Sequence, residues 1–355
     1  MTEGKQNKYL TIVAALFLVG FTFYILKELQ AILLPFFIAL VISFLFEPYY
    51  EWLKSKKIPG AISLVIVIIT ILILANIASV FVFTSINAFT IEIPKYTEKS
   101  TRIVESISVN LGNWDIYNRY FKDSFNLSKI LNGQAIATFA TSFFSSIISL
   151  FGNFVLILIY VIFLLSEFGS IRIRILKAFS SDKSRKITDA LTDIFKDVKK
   201  YIVGKTLINL SYGTLVTLIL WIFGVDFFIV WGFLAFLMAY IPNIGSLISI
   251  VLPFTTALIQ FDGDFTRPLI ILILMVVSAN LIGNIVEPKI LGDKLNLSPI
   301  LLLLSLIFWG YLWGLIGMIL SVPIMSMIKI ILGKFESTKP ISILMSLNVT
   351  GSKSG

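Results

Sequence analysis

Charged residues in this chain come in blocks, and the stretches between them are long and apolar. Tyr9–Leu26 and Leu29–Phe46 are uncharged over 18 residues each, and Ile58–Ile91 over 34. Leu131–Ser166 follows with 36, Thr206–Val225 with 20, Phe227–Phe261 with 35, Pro268–Val286 with 19 and Leu295–Ile328 with 34. A helix needs about 17–25 such residues to cross a bilayer. The pattern predicts an all-α integral membrane protein with about eight hydrophobic segments. Lys27 and Glu28 follow the first run without a small-residue cleavage site, so a retained anchor helix is expected there.

Two stretches are polar enough to leave the bilayer. Residues 91–130 carry six basic and five acidic residues, together with Pro94 and Gly112. Residues 168–205 carry ten basic and four acidic residues. In the second stretch Ile187, Leu191, Ile194, Val198 and Ile202 recur at helical spacing, which predicts a basic amphipathic helix lying at the headgroup level. Ser181 or Asp182 is placed to cap it. The expected organisation is N-terminal spans over 1–90, a polar insert over 91–130 and a span over 131–167. An amphipathic region over 168–205, a core over 206–332 and a polar tail over 333–355 complete it.

Composition sharpens the class. Of 355 residues, 57% are hydrophobic and 14% charged, and the mean hydropathy is +0.94. Soluble domains carry about 25% charged residues, so a soluble enzyme, a nucleic-acid module and a disordered protein are excluded. The net charge of +9 then reports orientation. Lys5 and Lys8, the Lys54–Lys57 loop, the 168–205 region and the tail with Lys334 and Lys339 are assigned to the cytoplasm. Both termini are therefore expected inside, in a multi-pass cytoplasmic-membrane protein, with the balanced 91–130 insert outside. The chain has no Cys and no His, which removes thiolate metal sites, cysteine nucleophiles and the commonest general base. Phosphate loops, dinucleotide turns and HExxH are absent. No catalytic residue, metal site or cofactor is expected, and no enzyme activity.

Two runs are too long for one crossing. Phe227–Phe261 would extend about 52 Å as one helix, against about 30 Å of hydrocarbon. Midway stands Ile241-Pro242-Asn243-Ile244-Gly245-Ser246, where Pro removes a helix hydrogen bond and Gly permits a turn. A re-entrant helical hairpin with its tip at Pro242–Ser246 is expected; a single kinked span is the alternative. Leu295–Ile328 repeats the problem, with its break at Trp309-Gly310-Tyr311-Leu312-Trp313-Gly314, then Gly317 and Pro323. Paired broken segments of this kind point to a transporter's binding site.

Polar residues near these runs are the candidate pathway. Asn280, Asn284 and Glu287 stand at i, i+4 and i+7 and share one helix face, with Gly283 beside them. That face could bind a cation, carry a proton or hydrogen-bond a polar solute. Alternatively, Glu287 sits at the interface, paired with Lys289 or capping a helix end. Asn209, near the start of the fifth span, either lines a pathway or bonds a neighbouring helix. Asp226, close to Gly224 in an expected external loop, is expected to be simply exposed.

These residues carry a resemblance. Pro242-Asn243-Ile244-Gly245-Ser246 followed by Pro253, and Asn284-Ile285-Val286-Glu287-Pro288-Lys289-Ile290-Leu291-Gly292, are similar to two elements of the AI-2E family of transporters. Leu297-Ser298-Pro299, the Leu-rich 301–306, Gly310, Gly314, Gly317 and Pro323 continue that pattern in order. It is specific between about residues 200 and 332, and Trp309 and Trp313 depart from it. The resemblance implies export of small polar molecules such as autoinducer-2, sodium(lithium)/proton antiport in some members, and homo-oligomeric assembly.

The expectation is a secondary transporter of a small polar solute, coupled to an ion gradient. Asn209, Pro242, Asn243, Gly245, Ser246, Asn280, Asn284, Glu287, Gly310, Gly314 and Gly317 would line one site near the midplane, with Glu287 as coupling carboxylate. Its partners would be a small polar solute, a monovalent cation or proton, and membrane lipid, with no nucleic acid. A sodium(lithium)/proton antiporter and a non-transporting membrane scaffold are the alternatives.

Overall fold

A computed structural model describes residues 17–18, 20–112, 138, 141–143, 145–148, 152–178, 181–242, 244–261, 263–291 and 297–347. The described chain is helical: α1 Gln30–Ser55, α2 Gly60–Gly112, α3 Phe154–Ala178, α4 Ser181–Ile222, α5 Phe228–Met238, α6 Ile244–Gln260 and α7 Thr266–Leu281. A π turn, Ile282–Val286, leads into α8 Glu287–Leu291, then α9 Pro299–Gly333 and α10 Lys339–Leu344. Among the described residues, five helices are long and apolar enough to cross a membrane, and Phe154–Phe168, α5 and α6 are shorter apolar ones. This is an all-α membrane protein.

Helices run through several of the expected boundaries, α3 through 167/168 among them. α4 carries the basic amphipathic stretch and the fifth span as one unbroken helix of 42 residues. The change from polar to apolar at Lys205–Thr206 alters what the helix touches without interrupting its backbone hydrogen bonds. Gly204, the one weak former there, serves packing: a Cβ on it would lie 2.8 Å from Leu291 Cδ2. α2 likewise continues past residue 90 to Gly112.

Each of the two long runs folds back on itself. In the first, α5 and α6 form a hairpin whose open end is clasped by Gln260. Asp226 N donates to Gln260 Oε1 at 2.7 Å, and Gln260 Nε2 donates to Gly224 O at 2.8 Å. At the closed end the Gly245 N–H donates to Ile241 O at 3.0 Å. A Cβ on Gly245 would lie 1.8 Å from Met238 O, so only glycine lets the arms meet. Asn243 lies outside the described residues.

In the second, α9 turns at Trp313 (φ −126°, ψ 16°) and Gly314 (φ 63°, ψ −146°). Ser305 Oγ donates to Ser321 O at 3.4 Å, although 16 residues of straight helix would separate them by about 24 Å. The run is therefore a hairpin, not a kinked rod. Its closed end is anchored by the two tryptophans. Trp309 and Trp313 rings lie 4.6 Å apart, Phe37 of α1 is 5.5 Å from Trp313, and Trp313 Nε1 donates to Leu26 O at 3.4 Å. Bulky residues stand at this turn because it is buried against α1.

The hairpins open toward opposite ends of α4. The first opens where α4 finishes, beside Asp226, whose Oδ2 accepts from Tyr96 OH of α2 at 2.7 Å. Asp226 is thus tied in, and the simple exposure expected for it is corrected: the extension of α2 reaches this loop. Burial, reinforced by Asp226, pushes the Tyr96 hydroxyl pKa up, which keeps it a donor. The second hairpin opens near the start of α4, where Lys334 Nζ meets Asp193 at 2.9 Å and Asp197 at 3.4 Å. At that same end Lys199 of α4 pairs with Glu47 of α1 at 2.8 Å.

The candidate solute site

Between α4, the first hairpin's closed end and the α7–α8 junction lies a cavity of about 430 Å³. Two helical stripes face each other across it. One is Lys205, Asn209 and Tyr212 on α4; the other is Asn280, Asn284 and Glu287, and all six line the cavity. Each stripe has the i, i+4, i+7 spacing that puts its members on one helix face. Asn284 Nδ2 donates to Asn280 Oδ1 at 3.0 Å, so the two amides are in register.

The π turn is a product of the sequence. Pro288 has no N–H, so the carbonyl four residues earlier lacks its helical donor. Just before it, the Glu287 N–H bonds to Ile282 O, five residues back and not four, which is the π register. Such turns concentrate at functional positions because they redirect a side chain within a helix. Here the carboxylate enters the cavity at the join, and Lys205 Nζ donates to Glu287 Oε1 at 2.6 Å. The Lys205 side chain is 9% exposed and that of Glu287 29%. The carboxylate is paired with Lys205 and not with Lys289, and it stands in the first turn of α8.

Tyr240, at the first hairpin's closed end, shares a 2.7 Å hydrogen bond with Thr206, and Tyr212 shares one of 2.9 Å with Ser249. These bonds dock the hairpin onto α4. Asn209 is 1% exposed and its Nδ2 is buried without a hydrogen-bond partner. An orphaned buried donor costs about 1–3 kcal/mol. Among the described residues, no three His, Cys, Asp or Glu side chains gather as metal ligands.

Of the residues singled out in the sequence, Asn209, Pro242, Ser246, Asn280, Asn284 and Glu287 line the cavity. Gly245 shapes the turn without lining it. Gly310, Gly314 and Gly317 are absent from the lining; they form the second hairpin's closed end, which packs on α1. That hairpin reaches the cavity through Leu302 and Val322. Lys205 and Tyr240 were not singled out as pathway residues. The spacing of Lys205, Asn209 and Tyr212, matching the Asn280 stripe, is the signal that could have found Lys205.

The AI-2E family transporter pattern matches residues 11–337 of the chain. The chain belongs to the AI-2E family of transporters. A Borreliella burgdorferi protein named only for transport is 30% identical over 319 residues, covering 90% of this chain and 86% of its own. The Escherichia coli K12 transport protein YhhT is 29% identical over 314 residues, 88% of each chain. AI-2 transport protein TqsA, also of E. coli K12, is 28% identical over 318 residues, 89% of each. Family membership and the apolar helices make the chain a multi-pass membrane transporter.

Proposed function

We propose that this AI-2E family member is a secondary transporter that exports a small, uncharged polar solute through the cavity between α4 and the α7–α8 junction. The observation that carries this reading is Asn209: a buried amide donor without a partner, on a residue that lines the cavity. Its desolvation cost is offset when a solute oxygen accepts from it. The name of TqsA supports a small polar signal as one candidate cargo.

We place the Lys334–Asp193 end of the molecule in the cytoplasm. The basic regions at the ends of α1 and α9 meet the basic half of α4 there, which is what the positive-inside tendency asks for. Both hairpins are then re-entrant, the first from outside and the second from inside. The 11 residues of α5 support this, since they reach only about 16 Å. Glu287 is the coupling carboxylate: a proton on it removes the negative charge that faces Lys205 and so changes the charge of the cavity. Solute flux in proteoliposomes, with and without a proton gradient, tests this assignment. In Glu287→Gln the gradient should lose its effect on flux; gradient dependence equal to wild type refutes the role.

A further inference from the structure

We propose that Lys205 sets the charge selectivity of the cavity: its ammonium occupies the place a monovalent metal cation would take beside Glu287. This rests on reading the cavity as the solute site. Among the described residues, Glu287 is the single acidic one in the lining and Lys205 the single basic one. At 2.6 Å they form one neutral unit within an otherwise uncharged wall. A sodium or lithium ion approaching the carboxylate meets a positive charge already in contact with it. The ammonium is also poorly placed to withdraw. Lys205 is 7% exposed, on a continuous helix whose next residue, Thr206, is bonded to Tyr240 of the first hairpin.

Removing the ammonium exposes a different chemistry. What then shares the cavity lining with Glu287 is an oxygen-bearing set, including the amides of Asn284 and Asn209 and the hydroxyl of Tyr240. Hard monovalent cations are bound by carboxylate, carbonyl and hydroxyl oxygens of this kind. A single position thus separates a neutral-solute site from an alkali-cation site. The wild-type chain belongs on the neutral side, against the antiporter reading of its own cavity.

The test needs no knowledge of the solute. Thermal unfolding of the full-length, detergent-solubilised protein is followed in sodium chloride, lithium chloride and choline chloride at equal ionic strength. Wild type should unfold at the same temperature in all three. Lys205→Met should unfold at a higher temperature in sodium or lithium than in choline, and Lys205→Met/Glu287→Gln should lose that difference. If Lys205→Met cannot be purified in choline, recovery in sodium is the expected outcome, and failure in both overturns the proposal. Sodium stabilisation of the wild type, or none in Lys205→Met, overturns it too. Proteoliposome flux of uncharged solutes is read separately. If no such solute moves but the sodium pattern holds, the transport reading fails and the selectivity of Lys205 stands.

Discussion

Asn209→Leu separates stability from function. The side chain is buried on α4 with its Nδ2 unpaired, a state that costs about 1–3 kcal/mol in desolvation. Leucine has a similar volume and no donor to strand. The solute-free protein should therefore gain about 1–3 kcal/mol of stability, in a position where most polar-to-apolar changes on a cavity wall would be expected to do harm. On the proposed role, the same change deletes one hydrogen bond to the solute, a net contribution of about 0.5–1.5 kcal/mol and roughly a 2–10-fold loss of affinity. Denaturant unfolding in detergent gives the first quantity, and the half-saturating solute concentration for flux in proteoliposomes gives the second. Opposite signs are the expected result. A destabilised Asn209→Leu with full transport would show that the amide serves the fold, and the solute-binding role would be refuted.

Two further outcomes follow from packing and charge. Gly245→Ala places a Cβ 1.8 Å from Met238 O, so the first hairpin must open at its tip. The cost is about 1–3 kcal/mol or more, read as a lower unfolding midpoint. Gly283→Ala, where the Cβ meets nothing within 4 Å, should be close to neutral by the same measure. Burial lowers the Lys334 pKa, but the Asp193 hydrogen bond and the Asp197 and Asp193 charges outweigh it, and the net direction is up from 10.5. A raised lysine stabilises fully below the unfolded value of about 10.4 and loses that contribution as pH rises through the folded value. Lys334→Gln should cost about 1 kcal/mol at neutral pH, given its partial exposure, and the gap to wild type should close in strongly alkaline buffer. A gap that stays constant with pH would assign the loss to packing.

The membrane class and the folding back of both long runs were legible because they depend on local features. Uncharged length sets the first, and Pro242, Gly245 and Gly314 mark the second. The Asn280, Asn284 and Glu287 face was legible as periodicity, and the structure puts those residues on one cavity wall. Lys205 was missed for a physical reason: it stands where charge gives way to apolar residues, so it reads as a loop residue. Its partner is 82 positions away, and only the packing of α4 against the α7–α8 junction brings them together. The continuity of α4 was hidden the same way, because hydropathy reports the surroundings of a helix and not its hydrogen bonds. The glycines at 310, 314 and 317 announce a turn, but nothing local says which neighbour the turn will meet. Trp309 and Trp313 decide that by docking on Phe37.

The unbroken α4 has a mechanical meaning. Asn209 on the cavity wall and Asp193, the partner of Lys334, are 16 residues apart on one rod, about 24 Å. A helix of this kind transmits tilt with little loss. A solute that shifts the cavity-lining middle of α4 would therefore pull on the Asp193 and Asp197 contacts with the second hairpin, and on Lys199 where it holds Glu47 of α1. Occupancy of the cavity and the tightness of the Asp193 end would then be two readings of one lever.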